Sequence, residues 1–162
     1  MRDWRYCPRC GGPLRQSELG GLPRLACADV GCGFVHWDNP APVVAALVEH
    51  EGMIVLARNR AWPEKMFGLV TGFLERDEDP RLAVAREVQE ELDLEVGRAA
   101  LIGVYPFPRN HEVIIAYHVV ARGVIRLNEE LAEYRRIAPE KLRDWDYGTG
   151  LAVRDWLRDR QT

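Results

Sequence analysis

The sequence contains no apolar run long enough to cross a bilayer, and its first ten residues, MRDWRYCPRC, include no hydrophobic signal segment. It also has no excess of positive charge, because its 162 residues carry a formal net charge of −3. Nucleic acids and acidic membranes therefore receive no general electrostatic attraction. We expect a cytoplasmic protein with no membrane partner, for which nucleic acid is a disfavoured partner.

Cysteine does not occur after Cys32, but the preceding part of the chain is rich in it. Cys7 and Cys10 form a C-x2-C knuckle, and Cys27 and Cys32 follow at ribbon distance. This pattern predicts four thiolates around a structural Zn²⁺ ion. Disulfides are the alternative, which a reducing cytoplasm disfavours. Because residues 1–38 are too few to hold a core, the metal of this zinc ribbon should supply most of its folding free energy.

Two prolines, Pro40 and Pro42, mark the expected boundary between the ribbon and a second domain. Paired prolines disfavour regular structure, so we expect residues 39–42 to form a short stiff linker. The chain is 47% hydrophobic, which is enough for one good core in residues 43–162.

Apolar, β-rich runs and helical patterns in the second domain predict mixed strands and helices, an α/β (α+β) class. A long helix should begin at Pro80, a short one at Pro139, and a last one after Thr149 as its N-cap. The expected strands cover residues 43–49, 53–58, 67–74, 100–105 and 113–121, with shorter candidates at 124–127 and 135–137.

The long predicted helix concentrates negative charge on one face. Glu87, Glu90 and Glu91 stand at positions i, i+3 and i+4, which gathers their carboxylates into one patch. Like charges at this spacing repel, and Arg86 is the basic residue offered nearby. Taken alone, the pattern favours a solvated acidic face. The alternative is a site for a hard divalent cation, Mg²⁺ or Mn²⁺, which would indicate phosphoryl chemistry.

The surrounding sequence favours the metal site. Residues 72–94 read GFLERDEDPRLAVAREVQEELDL and resemble the Nudix box, G-x5-E-x7-R-E-U-x-E-E-x-G-U, in which U is aliphatic. Each defined position matches except the last glycine, which is Asp93 here. Glycine at that point stops the helix in a left-handed conformation, which aspartate tolerates better than most residues. The resemblance implies a Nudix α/β/α sandwich with a mixed sheet, preceded here by the zinc ribbon.

The resemblance also implies roles for residues of the box. In the Nudix family, glutamates of the box and a glycine carbonyl bind the catalytic Mg²⁺ or Mn²⁺. The ligands so implied are Gly72, Glu87, Glu90 and Glu91. Arg86 and Glu78 would order the loop and the helix, although Arg86 as a simple surface charge is the alternative.

The catalytic base is left open at this point. The family uses either a glutamate of the box, here Glu91, or a glutamate from a later loop. Glu133, in ELAEYRRIAPEKL, resembles that later segment and is a candidate base or extra metal ligand; an exposed charge at a strand edge is the alternative. His111, which lies in a predicted turn, is a further candidate for the base; a solvated side chain without a catalytic role is the alternative.

A four-cysteine ribbon directly ahead of the box resembles the NADH pyrophosphatase subgroup and short ribbon-containing FAD pyrophosphatases. Residues 71–73, TGF, resemble the subgroup's AGF, and residues 106–108, PFP, match the centre of its SQPWPFPxS signature. Residues 102–105, IGVY, depart from SQPW, and Asn110 replaces the final serine. We expect four aromatic side chains to stack on substrate rings, with a core position as the alternative for each: Trp62, Phe73, Tyr105 and Phe107.

We therefore expect a metal-dependent hydrolase that splits the pyrophosphate bond of a nucleoside diphosphate linked to a second group, of the NAD(H), FAD or ADP-ribose class. One alternative is a hydrolase of nucleoside triphosphates or capped RNA 5′ ends. Another is a non-catalytic nucleotide sensor whose ribbon binds a partner, which the intact glutamates disfavour. The family resemblance also suggests a homodimer.

Overall fold

A pair of glycines sets the first hairpin of the chain. Gly20 and Gly21 have φ values of 63° and 75°, the left-handed region that a two-residue hairpin turn requires. They join β1 (Leu14–Leu19) to β2 (Leu22–Cys27), and β3 (Val35–His36) pairs with the other edge of β2. These antiparallel strands belong to the first of two units, which ends at Asn39. The computed structural model describes residues 4–160.

The thiols of the first unit converge on one point. The four Sγ atoms, from Cys7, Cys10, Cys27 and Cys32, lie within 4.8 Å of one another. The Sγ atoms are 3.7 Å apart for Cys7 and Cys32 and 3.5 Å apart for Cys10 and Cys27. A disulfide is about 2.05 Å long, so these are free thiols. The arrangement fits the four-thiolate zinc site that the spacing predicts.

The second unit, which begins at Pro40, is built on a mixed sheet. Its strands are β4 (Ala41–His50), β5 (Met53–Asn59), β6 (Val70–Phe73), β7 (Glu95–Phe107), β8 (Glu112–Arg122) and β9 (Leu131–Ile137). The order across the sheet is β7-β8-β4-β5-β9, and β6 pairs with β4. β4 and β8 run parallel, whereas the other pairs are antiparallel. The expected mixed sheet is thereby confirmed.

A helix packs on each face of this sheet. The apolar side of α1 (Pro80–Leu92) joins one buried cluster and that of α2 (Gly150–Asp159) joins the other. Short 3₁₀ turns occur at Pro108–Asn110 and Pro139–Lys141. The layers are therefore helix, sheet and helix, as the resemblance implies. Within residues 4–160 no helix is both long and apolar enough to span a membrane.

Several of the expected element boundaries differ from the structure, among them those of β7, which starts at Glu95 instead of residue 100, and of β9, which starts at Leu131 instead of residue 135. β4 starts at Ala41 and includes Pro42, which pairs with Val113 of the parallel strand β8, so regular structure begins inside the expected linker. The expected strand at residues 67–74 is shortened to β6, and before it only Gly68 forms an isolated bridge, to Ala57.

The expected strand at residues 124–127 is wrong. Ile125 and Leu127 alternate as strand residues would, and both pack against the core cluster on the α1 side. The backbone N–H of Arg126, however, donates to the carbonyl of Leu92 at the end of α1, at 2.9 Å. The backbone of this segment donates to the last carbonyls of α1 and does not pair with a strand. The alternating sequence pattern therefore reflects packing against the core and not membership of the sheet.

Both ends of α1 are fixed by aspartates. The carboxylate of Asp79 accepts the N–H of Arg81 at 2.8 Å, and Pro80 occupies the first turn. Asp93 adopts the left-handed conformation, with φ 56° and ψ 34°, and its N–H donates to the carbonyl of Gln89 at 3.0 Å. Asp93 therefore ends the helix in the left-handed conformation that glycine provides at this position of the box.

Substitutions of Asp93 test how much free energy of unfolding depends on the left-handed conformation at the end of α1. Asp93→Ala should lower the free energy of unfolding by about 1 kcal/mol, because alanine resists the left-handed conformation. Asp93→Gly should stay within about 0.5 kcal/mol of the wild type, since glycine removes strain but loses the hydrogen bonds that the carboxylate accepts from Gln89 and Arg126. Urea unfolding measures both, and a more stable alanine variant would contradict the assignment.

The cysteine cluster generates a second prediction. Purified protein should contain about one zinc ion per chain, and Cys10→Ser should release it and expose the segment around β1 and β2 to proteolysis. His36→Gln is the matched control, because four thiolates complete the site without the imidazole. Metal analysis and limited proteolysis measure the two effects. Full zinc retention by Cys10→Ser would show that the cluster is not the ligand set.

Candidate active site

A cavity of about 640 Å³ lies in the second unit, within the size range of small-molecule sites. Its walls come from β6, from one face of α1, from the end of β7, and from the loops that precede β6, β9 and α2. Charged side chains from α1 and aromatic side chains from the loops face the same space.

The carboxylates of α1 line this cavity as the helical spacing predicts. Glu87, Glu90 and Glu91 are joined there by Glu130, which lies in the loop before β9. Glu91 is only 7% exposed. Burial, followed by the charges of Glu87, Glu130 and Glu90, raises the pKa of Glu91 to about 8. The cluster therefore favours a proton or a cation as a counter-charge.

Gly72 lies directly against Glu87. A Cβ atom at position 72 would stand 1.9 Å from Cδ and 2.0 Å from Oε1 of Glu87. Pairing of Gly72 with Val44 fixes the backbone of β6 at this point. A side chain here would displace the carboxylate, so the glycine is required by close approach rather than by a turn.

Arg86 connects the loop before α1 to the carboxylates. Its Nε and Nη2 atoms donate to the two carboxylate oxygens of Glu78, at 2.8 and 3.0 Å. Its Nη1 atom donates to Glu87 at 2.6 Å and to Glu90 at 3.1 Å, and Nη2 also reaches the carbonyl of Phe73. The hydrogen bonds from Arg86 lower the pKa of Glu78. Arg86 is therefore part of the site's framework and not a simple surface charge.

Glu133 does not line the cavity, contrary to the expectation that it is a base or a metal ligand. It lies on β9 opposite Arg58, and its Oε1 is 3.7 Å from Arg58 and 3.8 Å from Arg135. Glu130 takes the expected place in the cavity, in the turn where the Asn128 side chain accepts its N–H at 3.0 Å. The sequence signal for Glu130 was Asn128, because asparagine is typical of turns and a turn here leaves Glu130 outside the strand.

His111 also lies outside the lining. It ends the 3₁₀ turn with φ 58°, and its N–H donates to the carbonyl of Pro108 at 3.1 Å. The two residues before it, Arg109 and Asn110, line the cavity instead.

The expected aromatic residues divide into two groups. Trp62, Phe73 and Phe107 line the cavity. Tyr105 does not, because it is 9% exposed within the core cluster on the α2 side and its hydroxyl donates to Asp155 at 2.8 Å. Its expected role in substrate binding is thus corrected to a core role.

Sequence reasoning missed several aromatic residues of the lining. Phe67 precedes β6, whereas Trp145 and Tyr147 belong to the loop before α2. The available signal was the segment DWDYGTG, in which two aromatic residues and Gly148 precede a helix that starts at Gly150.

The raised pKa of Glu91 predicts how stability depends on pH when Mg²⁺ and Mn²⁺ are withheld. Between pH 4.5 and about 8 the folded chain retains a proton that the unfolded chain has lost. The free energy of unfolding should therefore fall as pH rises, by at most about 1.4 kcal/mol per pH unit for this group. Glu91→Gln should flatten this slope, and Glu133→Gln should not. Urea unfolding across this range measures the slope; equal slopes in both variants would contradict the assignment.

Comparison with known proteins places these features in a family. The NUDIX domain profile matches residues 39–157. An NAD-capped RNA hydrolase NudC from Mycobacterium bovis is 41% identical over 114 residues, which cover 65% of this chain and 36% of that protein. NudC from Stutzerimonas stutzeri is 26% identical over 133 residues, which cover 81% of this chain and 47% of that protein. The chain thus spans between a third and a half of the length of these curated relatives.

Solved structures share the fold. A NUDIX hydrolase from Nitrosomonas europaea has a TM-score of 0.79 at 24% identity, covering 98% of this chain and 91% of that one. An ADP-ribose pyrophosphatase from Streptococcus suis has a TM-score of 0.56 at 18% identity, covering 76% of this chain and 94% of that one. Since the family match covers most of the sequence and includes the whole box of residues 72–94, the chain belongs to the Nudix family.

Proposed function

We propose that this chain hydrolyses the pyrophosphate bond of a nucleoside diphosphate linked to a second group, of the NAD(H), FAD or ADP-ribose class. The observation that carries the proposal is the convergence of box carboxylates with Gly72 in one cavity of suitable size. A structural role for these carboxylates would not require three of them, and a fourth from Glu130, to face an open cavity.

The donor set suits a hard divalent cation. Glu87, Glu90 and Glu91, with the carbonyl of Gly72, would hold Mg²⁺ or Mn²⁺, and we add Glu130 as a candidate ligand. When bound, such ions supply an acidified water and neutralise charge on phosphate oxygens. Burial, and then the charges of neighbouring carboxylates, raise the pKa values of Glu87 and Glu91, and both effects favour a cation between these oxygen donors.

The residues around the carboxylates have positioning roles in this proposal. Arg86 and Glu78 hold the loop and the helix so that Glu87 and Glu90 keep their orientation. Glu91 and Glu130 are the two candidates for the base, because both face the cavity and both contribute to the same cluster of charge. Phe73, which is 60% exposed, and Phe107 are proposed contacts for substrate rings.

The NAD-linked 5′ end of RNA is the second candidate substrate. It is favoured by the name of the relatives from Mycobacterium and Stutzerimonas, NAD-capped RNA hydrolase, which share part of this chain. A small dinucleotide and a capped RNA present the same pyrophosphate bond. We place the dinucleotide first, since the chain as a whole has a net charge of −3 and offers RNA no general attraction.

Glu90→Gln should lower Mg²⁺- or Mn²⁺-dependent turnover of NAD, FAD or ADP-ribose at least about a hundredfold, because it removes a charged ligand. Its thermal midpoint should stay close to that of the wild type, since this side chain is exposed. Glu91→Gln should reduce turnover likewise. Chromatography of the monophosphate products measures turnover over a nucleotide panel that includes NAD-capped RNA.

Glu133→Gln is the matched control, because Glu133 lies on β9 outside the cavity lining. It should keep the turnover of the wild type. Full activity of Glu90→Gln and Glu91→Gln would defeat the proposal. If the enzyme cleaves the capped RNA in preference to the dinucleotides, the capped RNA replaces them as the proposed substrate.

A further inference from the structure

The charges that line the cavity are negative except at one point. Among the lining residues that the structure describes, Arg109 is the one basic side chain. The guanidinium of Arg86 is engaged by glutamates of the framework and does not line the cavity. Arg109 is therefore the place where this lining attracts an anion without a metal ion. The carboxylates around it are those of Glu75, Glu87, Glu90, Glu91, Glu112 and Glu130.

The backbone that carries Arg109 is fixed at both ends. Arg109 lies in the 3₁₀ turn between β7 and β8, and Phe107 pairs with Glu112 to close this hairpin. Within the turn, the N–H of His111 donates to the carbonyl of Pro108 at 3.1 Å. A side chain presented on such a turn can bind a ligand without the further cost of ordering a loop.

The polar side chains of this turn are not engaged by the protein. Within residues 4–160, neither Arg109 nor Asn110 forms a side-chain hydrogen bond or an ion pair, although Glu112 lines the same cavity. Asn128, also in the lining, is by contrast used by the framework, because it accepts the N–H groups of Glu130 and Leu131. A guanidinium and an amide with open N–H donors suit a phosphate group, which arginine binds through two parallel hydrogen bonds.

Strand register separates this turn from the carboxylates of the box. Gly72 pairs with Val44, and Val44 pairs with Ile115 of β8. Glu112 stands three residues before Ile115, which is about 10 Å along the strand. The turn that carries Arg109 lies beyond Glu112. A metal ion at Gly72 and the guanidinium of Arg109 therefore contact different parts of one substrate.

We infer that Arg109, assisted by Asn110, is a specificity-determining residue that binds a phosphate ester on a ribose of the substrate, outside the cleaved pyrophosphate. A ribose-borne phosphate is the nearest further anion that a nucleotide substrate can carry. It is either a free phosphate or the phosphodiester that continues into a further nucleotide. The inference rests on the proposed pyrophosphate hydrolysis and narrows its substrate class to phosphate-bearing members.

The test compares kcat/KM of the wild type, Arg109→Gln and Arg109→Lys for three substrates. They are NAD, NADP with its free 2′-phosphate, and NAD extended by one nucleotide through a 3′-phosphodiester. Arg109→Gln should lower kcat/KM for a phosphate-bearing substrate about tenfold more than for NAD, mainly through KM, because a charge-assisted hydrogen bond is lost. Arg109→Lys should retain part of the preference, since it keeps the charge but not the paired hydrogen bonds.

Arg98→Gln is the matched control, because Arg98 is an exposed residue of β7 outside the cavity lining and the change in net charge is the same. It should leave kcat/KM for all three substrates as in the wild type. A selective loss for NADP identifies a free phosphate as the ligand, and a selective loss for the extended dinucleotide identifies the phosphodiester. Equal losses for all three substrates in Arg109→Gln would overturn the inference, as would no loss, or the same loss in Arg98→Gln.

If the wild type cleaves none of these substrates, the proposed function fails separately. Titration calorimetry in Mg²⁺ with AMP, adenosine 2′,5′-bisphosphate and adenosine 3′,5′-bisphosphate then tests Arg109 by affinity. The wild type should bind a bisphosphate more tightly than AMP, and Arg109→Gln should reduce this difference about tenfold. Equal affinity of the wild type for AMP and both bisphosphates would overturn the role of Arg109 independently of catalysis.

Discussion

Mutual repulsion among the carboxylates of one cavity is the constraint on which the rest of the site depends. The hydrogen bonds of Arg86 offset part of this repulsion, but they go to Glu78, Glu87 and Glu90. Glu91 is instead buried beside its neighbours, and its pKa rises to about 8 as a result. The site therefore keeps an excess of negative charge that the guanidinium of Arg86 does not neutralise. A divalent cation between these oxygens would relieve it, which is why geometry and electrostatics support the same chemistry.

The fold can hold these charges together because the opposite face of α1 is buried. Val88 and Leu92 are fully buried against the sheet, and burial of each such side chain contributes about 1.5–3 kcal/mol. An exposed like-charge pair at this spacing costs only about 0.2–0.5 kcal/mol, and the buried Glu91 avoids a larger cost below about pH 8 by keeping its proton. Packing therefore outweighs the repulsion along the helix. The caps at Asp79 and Asp93 then fix where the helix begins and ends, and so where the carboxylates stand.

The sequence allowed the parts with local causes to be predicted. The spacing of the box gave the shared face of Glu87, Glu90 and Glu91, and the chemistry of aspartate allowed the left-handed stop at Asp93. Prediction failed where a partner distant in sequence decides the outcome. Ile125 and Leu127 follow the alternating pattern of a strand, but the backbone of their segment hydrogen-bonds to the end of α1. Tyr105 faces the α2 side because its strand position pairs it with the buried Ile114.

The base candidate shows the same limit at finer scale. Glu130 and Glu133 are three residues apart, and either could be the later glutamate of the family on sequence alone. The Asn128 turn places the start of β9 at Leu131, and from there the pairing with β5 commits Glu133 to Arg58. Pairing with the neighbouring strand β5, and not the chemistry of Glu133 itself, keeps this side chain out of the cavity. Glu130 precedes that pairing and stays among the carboxylates, so the register of one edge strand determines which glutamate faces the cavity.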